Sequence, residues 1–249
     1  MSIFKSKPKT ITWRVPGGRV QRLSEAVFSA EHTLIAGTTG SGKSVLLNGI
    51  VRDFLRTHAP GEGSLVLIDP KQMELSEFSY LPHCIGYADT EDGAERLLSA
   101  VLNKMADRNR YCKQRRIREY PGGDIYVIID ELLPLTTGAR KATINRLLST
   151  ILTQARAARI HVIAATQLPN RASVPANIVS LFTLRIGLRM LSSIESRQTI
   201  GVKGCEDLPL HGTALVLRGP VLTAVNIPMT DEREVRDLIN FWERQARTA

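Results

Sequence analysis

Cysteine is scarce in this chain: Cys84, Cys112 and Cys205 are the only three in 249 residues. They lie far apart, with no metal-ligand spacing, and read as reduced, structural thiols of a cytoplasmic protein. Aromatic residues are few as well, at 5%, which argues against a stacking track for single-stranded nucleic acid. No run is long or apolar enough to span a membrane. The opening MSIFKSKPKTITW carries lysines with no apolar stretch behind them, so it is not a secretory signal. Neither an internal repeat nor a low-complexity linker breaks the sequence. Acid is in deficit, 24 Asp and Glu against 33 Lys and Arg, for a formal charge of +9. That excess favours a polyanionic partner, and with so few aromatics the expected mode is backbone contact with duplex DNA.

What is present is concentrated in HTLIAGTTGSGKSVL, from His32 to Leu46. A short apolar strand runs into a glycine-rich loop and then into an apolar helix, the context that gives a Walker A pattern its meaning. Gly37, Gly40 and Gly42 open backbone conformations closed to other residues, so successive amides of Thr38, Thr39, Ser41 and Val45 can ring phosphates. Lys43 then reaches the β- and γ-phosphates and Ser44 holds Mg²⁺, at the positive end of the new helix. The chain is expected to bind ATP with Mg²⁺.

Two further strands supply partners for such a loop. IYVIIDEL, from Ile125 to Leu132, is an apolar run ending in two acids, as expected of a central parallel strand. Asp130 would bind the magnesium through water, and Glu131 would orient or deprotonate the attacking water. HVIAATQ, from His161, ends in Gln167, which is either an ordinary strand-end residue or a sensor of the γ-phosphate. Asp69, in the IDPK turn, is read as pairing with Lys71 in a structural turn outside the catalytic set.

The remaining punctuation fits one α/β domain. Residues 1–31 are expected to form a basic extension with a small hairpin turning at Pro16-Gly17-Gly18. Strands are expected near 33–36, 64–69, 125–129, 161–165, 181–187, 213–217 and 221–227, and helices near 43–57, 91–115, 141–158 and 231–246. That alternation predicts a mostly parallel sheet covered on both faces, with ligands at the strand C-termini. The last two strands, meeting at Arg218-Gly219-Pro220, predict an antiparallel edge hairpin. In the 141–158 helix, Ile144, Leu147, Leu148, Ile151, Leu152 and Ala155 make a buried stripe with Arg156 and Arg159 on its rim. Arg156 by itself reads either as a charge on the helix dipole or as an arginine for a subunit interface. The basic run KMADRNRYCKQRRIR, from Lys104 to Arg118, reads as a solvated face or, alternatively, as a contact with DNA or an acidic partner.

Taken in order, LIAGTTGSGKSVLLN, LVLIDPKQMEL, LPHCIGYADT, IIDEL, QARAARIHVIAATQ, PANI and ESRQTIG resemble the FtsK/SpoIIIE-type DNA translocases, within the FtsK/HerA group of ring-forming motor ATPases. The resemblance spans roughly residues 32–220. It implies a RecA-like P-loop NTPase core over 32–249 and a homo-hexameric ring that moves duplex DNA. It also places Lys43, Ser44, Asp130 and Glu131 on the Walker residues, Gln167 on the sensor, and Arg156 on the arginine that reaches a neighbouring subunit's nucleotide. Arg159 and Arg197 are left open as further interface residues.

Departures from the family's pattern fall in the DNA grip. Leu168 stands where the family usually has a basic residue, and Pro175 where it has a lysine. Arg171, with Arg140 and Lys141 after the Walker B strand, are candidate replacements or else solvated charges. The membrane anchor, additional ring-forming domain and winged-helix DNA-reading domain of larger members are not seen in this sequence. From that the expectation is a small motor for DNA transfer or packaging by a mobile element, plasmid or virus, brought to its task by a recruiting partner. The alternatives are a nucleotide-dependent DNA-binding switch in a replication or conjugation complex and a portal-docked genome-packaging ATPase.

Overall fold

The computed structural model describes residues 12–14, 20–167 and 174–248. Eight strands form one sheet in the order β10-β9-β8-β3-β7-β6-β4-β5. These are β3 (His32–Ala36), β4 (Gly63–Ile68), β5 (Cys84–Ala88), β6 (Asp124–Ile129), β7 (Ile160–Thr166), β8 (Leu184–Gly187), β9 (Thr213–Arg218) and β10 (Val221–Asn226). From β8 to β5 every neighbouring pair is parallel, while β9 and β10 add an antiparallel edge. The mostly parallel sheet with its edge hairpin is therefore as expected. A separate antiparallel pair joins β1 (Thr12–Arg14) to β2 (Val20–Arg22). The turn expected at Pro16-Gly17-Gly18 lies outside the described residues.

The central strands read as unbroken apolar runs because both of their faces are buried. Successive side chains alternate between two cores. Leu65, Leu67, Tyr126, Ile128 and Ile163 face one side, with α1 (Leu23–Phe28), α2 (Lys43–Thr57) and α8 (Glu232–Thr248). Val66, Ile68, Val127, Ile129 and Val162 face the other, with α3 (Glu91–Arg115), α4 (Leu132–Thr137), α5 (Lys141–Gln154) and α6 (Ala176–Val179). Leu23, Ala26 and Val27 of α1 belong to the first core, so packing of the main body takes in residues ahead of the expected start at 32.

Helix α3 has the expected bounds. Thr90 caps it, accepting from the Gly93 amide at 3.1 Å. Ala94, Leu98, Val101, Met105, Arg108 and Cys112 are its buried stripe, at alternating spacings of four and three. The other basic residues of the Lys104–Arg118 run are exposed, which favours the solvated-face reading. Arg108 is the exception: it is buried, lies 4.4 Å over the Tyr120 ring, and donates to the Ala158 carbonyl at 2.8 Å.

Helix α5 buries the expected stripe but ends at Gln154. The chain turns through residues 155–159, with Arg159 in the left-handed region at φ 53°, and enters β7. Arg159 is not on a helix rim. It grips Asp124 with two hydrogen bonds, 2.8 and 2.6 Å, and His161 adds a third at 3.2 Å. Helix α7 (Ser193–Ile200), α1, α4 and strand β5 were not expected from the sequence.

Burial would raise the Asp124 pKa, but hydrogen bonds from His161 and Arg159 overcome it and hold the carboxyl well below the usual carboxylate range. Such a group contributes stability above its unfolded pKa of about 3.9 and loses it as pH falls through the folded value. Asp124→Asn is expected to cost about 2 kcal/mol in urea denaturation at pH 7. The gap to the parent protein should close as pH is lowered below about 4.

Candidate nucleotide-binding and hydrolysis site

The C-terminal ends of β3, β4, β6 and β7 meet at one edge of the sheet, since these strands are parallel and adjacent in the order β3-β7-β6-β4. The loop from Gly37 to Gly42 links β3 to α2 across this edge. The Gly37 amide donates to the Thr166 carbonyl at 3.3 Å, and the Thr38 amide donates to the Arg189 carbonyl at 2.9 Å. A Cβ on Gly37 would stand 2.6 Å from Ser41 Oγ and 2.7 Å from Leu188 Cβ, so only glycine fits. Gly40 and Gly42 take φ of 77° and 92°, in the left-handed region.

Gly42 is the N-cap of α2 and offers no side chain to its amides. The first intrahelical bond runs from the Leu46 amide to the Gly42 carbonyl at 3.0 Å. The amides of Lys43, Ser44 and Val45 thus belong to the turn whose N–H groups point out of the helix, where an anion is the natural partner. Beside them a cavity of about 320 Å³ opens between Ser44, Val45, Asn48, Glu74 and Thr230.

Lys43, Asp130 and Glu131 are all buried, at 6%, 2% and 1% exposure. Burial pushes the Asp130 carboxyl up to about 6 despite the pull of Lys43. Burial likewise lowers the Lys43 pKa, opposed by Asp130 and Glu131. Asp130 Oδ1 has no hydrogen-bond partner among the described residues. A buried carboxylate oxygen in that position fits a cation, and no cluster of three His, Cys, Asp or Glu among the described residues offers a full cage. Ser44 and Asp130 suit Mg²⁺, which keeps its waters and takes phosphate oxygens as further ligands.

Glu131 is held by three donors. Its Oε1 accepts from the Gln167 amide at 3.1 Å and the Leu133 amide at 3.4 Å, the latter making it the N-cap of α4. Its Oε2 meets Lys71 Nζ at 3.0 Å. This corrects the sequence reading of the IDPK turn, because Lys71 pairs with Glu131 and not with Asp69. Asp69 accepts instead from the amides of Glu74 and Leu75, at 3.1 and 2.9 Å. Spacing along the chain does not reveal the Lys71–Glu131 pair; adjacency of β4 and β6 does. Gln167 bridges two parts of the site, since its side-chain Oε1 also accepts from Thr39 Oγ1 at 3.2 Å.

The remaining candidates lie elsewhere. Arg156 sits before β7, at the end of the sheet opposite the phosphate loop, with its side chain 82% exposed and paired to Glu31 at 3.1 Å. Arg140 donates to Asp92 at 2.8 Å, and Lys141 is exposed at the start of α5. Arg197 is exposed on α7. Arg171 and Leu168 lie outside the described residues.

The sequence profile of the FtsK/SpoIIIE family matches residues 11–206. The chain belongs to the FtsK/SpoIIIE family. A DNA translocase FtsK from Staphylococcus epidermidis is 32% identical over 232 residues, covering 84% of this chain. The chain spans only 29% of the length of that relative. Among solved structures, the monomer form of the pCW3 conjugation coupling protein TcpA with ATPγS superposes with a TM-score of 0.77. It is 22% identical and covers 93% of this chain and 69% of its own. The cytoplasmic domain of the Thermomonospora curvata type VII secretion ATPase EccC gives a TM-score of 0.74 at 22% identity, over 95% of this chain and 32% of its own. For an FtsK/SpoIIIE family member, the P-loop ATPase fold of these neighbours is the expected one. No helix among the described residues is long and apolar enough to cross a membrane.

Because burial raises Asp130 above its unfolded value, its charge destabilises the fold as pH rises past that range. Asp130→Asn should therefore raise the stability of the nucleotide-free protein at pH 8 by about 1 kcal/mol. The same variant should abolish Mg²⁺-dependent ATP turnover. A lowered Tm would show that the carboxylate is already compensated within the chain.

Proposed function

We propose that this chain is the motor of an ATP-driven translocase that moves duplex DNA through a ring of identical subunits. The observation that carries the reading is Glu131, a buried carboxylate at the edge of the sheet. It stands beside an anion-ready helix N-terminus and is joined by Gln167 to the phosphate loop. Family membership supports DNA as the substrate. In this reading Lys43 and the loop amides hold the triphosphate. Ser44 and Asp130 hold Mg²⁺, which supplies charge neutralisation on the phosphates. Glu131 orients and accepts a proton from the attacking water.

Loss of the γ-phosphate is felt at Thr39 and Gln167, and Gln167 leads directly into residues 168–173. That segment, with Arg171, and the start of α5, with Arg140 and Lys141, are the candidate holders of the DNA backbone. Arg156 lies before β7, at the end of the sheet opposite its own chain's loop, so it can serve nucleotide chemistry only by reaching a second copy. A homo-hexamer supplies such a copy at every interface. Transfer or packaging of DNA for a mobile element, plasmid or virus is the expected setting.

Turnover stimulated by long duplex, together with displacement of a protein roadblock, tests translocation; stimulation without displacement would make the chain a switch. Glu131→Gln should keep ATP binding and lose turnover by about a hundredfold or more. Arg156→Ala should bind ATP and hydrolyse it poorly, and mixing it with Lys43→Ala should restore part of the activity through composite sites. An unchanged rate in Arg156→Ala alone would remove the interface role.

A further inference from the structure

Lys71 has no place in the Walker scheme, yet it makes the single side-chain ion pair of Glu131 among the described residues, at 3.0 Å. The pair is asymmetric in exposure, 34% for the lysine side chain and 2% for the glutamate. A chain of four methylenes with its end in partial solvent costs conformational entropy to hold, so its fixed position needs a reason. Two features of the turn supply the anchoring. Asp69 is fully buried and takes the Glu74 and Leu75 amides, and the Gln72 amide donates to the Asp69 carbonyl at 3.0 Å, with Gln72 at φ 58°. The backbone on both sides of Lys71 is thereby fixed. Parallel pairing of β4 with β6 sets Ile68 opposite Ile129, which carries the turn to Glu131.

The three donors to Glu131 come from three different elements and divide between its oxygens. Gln167 and Leu133 hold Oε1 from one side, and Lys71 alone among the described side chains holds Oε2. With Lys71 removed, the carboxylate would be hinged on one oxygen and free to rotate about its last torsion. A general base must keep its oxygen within hydrogen-bond reach of a water along one line of attack, and displacement of a reacting group by about 1 Å can cost a hundredfold in rate.

We propose that Lys71 is a positioning residue for ATP hydrolysis, acting through Glu131 by fixing the plane of its carboxylate and not by holding the nucleotide. The proposal rests on the reading of Glu131 as the base, and the two fail separately. Lys71→Met keeps the stem and removes the charge; it should lower kcat by about tenfold or more. Affinity for a non-hydrolysable ATP analogue should stay within about twofold. Lys71→Arg, which keeps a donor on Oε2, should recover most of the rate. In a Glu131→Gln background, Lys71→Met should change the residual turnover by less than about twofold, because its only route to the chemistry is already cut. Lys71→Gln replaces the methionine variant if that protein does not fold.

An equal loss in both backgrounds would overturn the proposal, since Lys71 would then act independently of Glu131. So would a parallel loss of about tenfold in analogue affinity, which would make it a phosphate ligand. A dead Glu131→Gln beside an unaffected Lys71→Met removes the role of Lys71 alone. A normal rate in Glu131→Gln removes the base assignment itself.

Discussion

Burial of like and unlike charges at one sheet edge is the constraint around which this molecule is arranged. Parallel strands all point their C-terminal ends the same way, so β3, β4, β6 and β7 bring Lys43, Asp69, Asp130 and Glu131 into one water-poor volume. Each ionised group there loses hydration, and the loss is offset only where a partner is fixed in place. Two backbone amides meet Asp69 at Oδ2, leaving its Oδ1 without a partner among the described residues, and Glu131 is met by Lys71 and two amides. Asp130 Oδ1 is likewise without a partner, and burial raises the pKa of that carboxyl. Of these two carboxylates, Asp130 is the one assigned to the cation. A fold that satisfied Asp130 internally would gain stability and leave no free oxygen there for a cation.

The opposite end of the same sheet holds a carboxylate with partners on both of its oxygens. Asp124 opens β6 where Asp130 follows its close, and it receives Arg159 and His161, with Arg159 itself placed by a left-handed residue conformation. His161 stacks on Tyr126 and its other nitrogen meets the Ala30 carbonyl at 3.0 Å. His32, one strand away, is kept neutral: burial lowers its pKa to about 4 and its Nδ1 accepts the Val162 amide at 3.1 Å. One end of β6 is thus closed and structural, and the other open and chemical. Two arginines three residues apart, Arg156 and Arg159, divide accordingly: the second is spent inside the chain and the first stays 82% exposed.

How far the sequence could be read follows from the same physics. Strands buried on both faces appear as apolar runs whatever their neighbours do, which made β3, β4, β6 and β7 legible. Strand β5 is a sheet edge with Ile85 58% exposed and a glycine at its centre, so it carries little pattern of its own. Short helices α4 and α7 fall below the length at which a 3.6-residue period can be distinguished. The overlong reading of α5 has a tertiary cause. QARAA is favourable helix sequence, but the Arg108 guanidinium from α3 takes the Ala158 carbonyl and the chain must reverse into β7. The Walker residues were legible because a motif fixes them locally. Lys71 was not, because its partner lies sixty residues away in sequence and only the pairing of β4 with β6 brings the two together.

Glu131 also shows how one carboxylate can report to more than one part of the molecule. Its Oε1 is shared between the amide that starts α4 and the amide of Gln167, and Gln167 in turn accepts from Thr39 in the phosphate loop. A change in the phosphates that moves Thr39 by a few tenths of an ångström must therefore be absorbed at Gln167 or at Glu131. Neither has slack, since both are tied at two or more points and the strands behind them are packed in two cores. Through the Leu133 amide the same carboxylate also holds the start of α4, the helix that precedes Arg140 and Lys141. A displacement at Glu131 is therefore passed to the start of α4 and to the end of β7 together, because one carboxylate oxygen holds both.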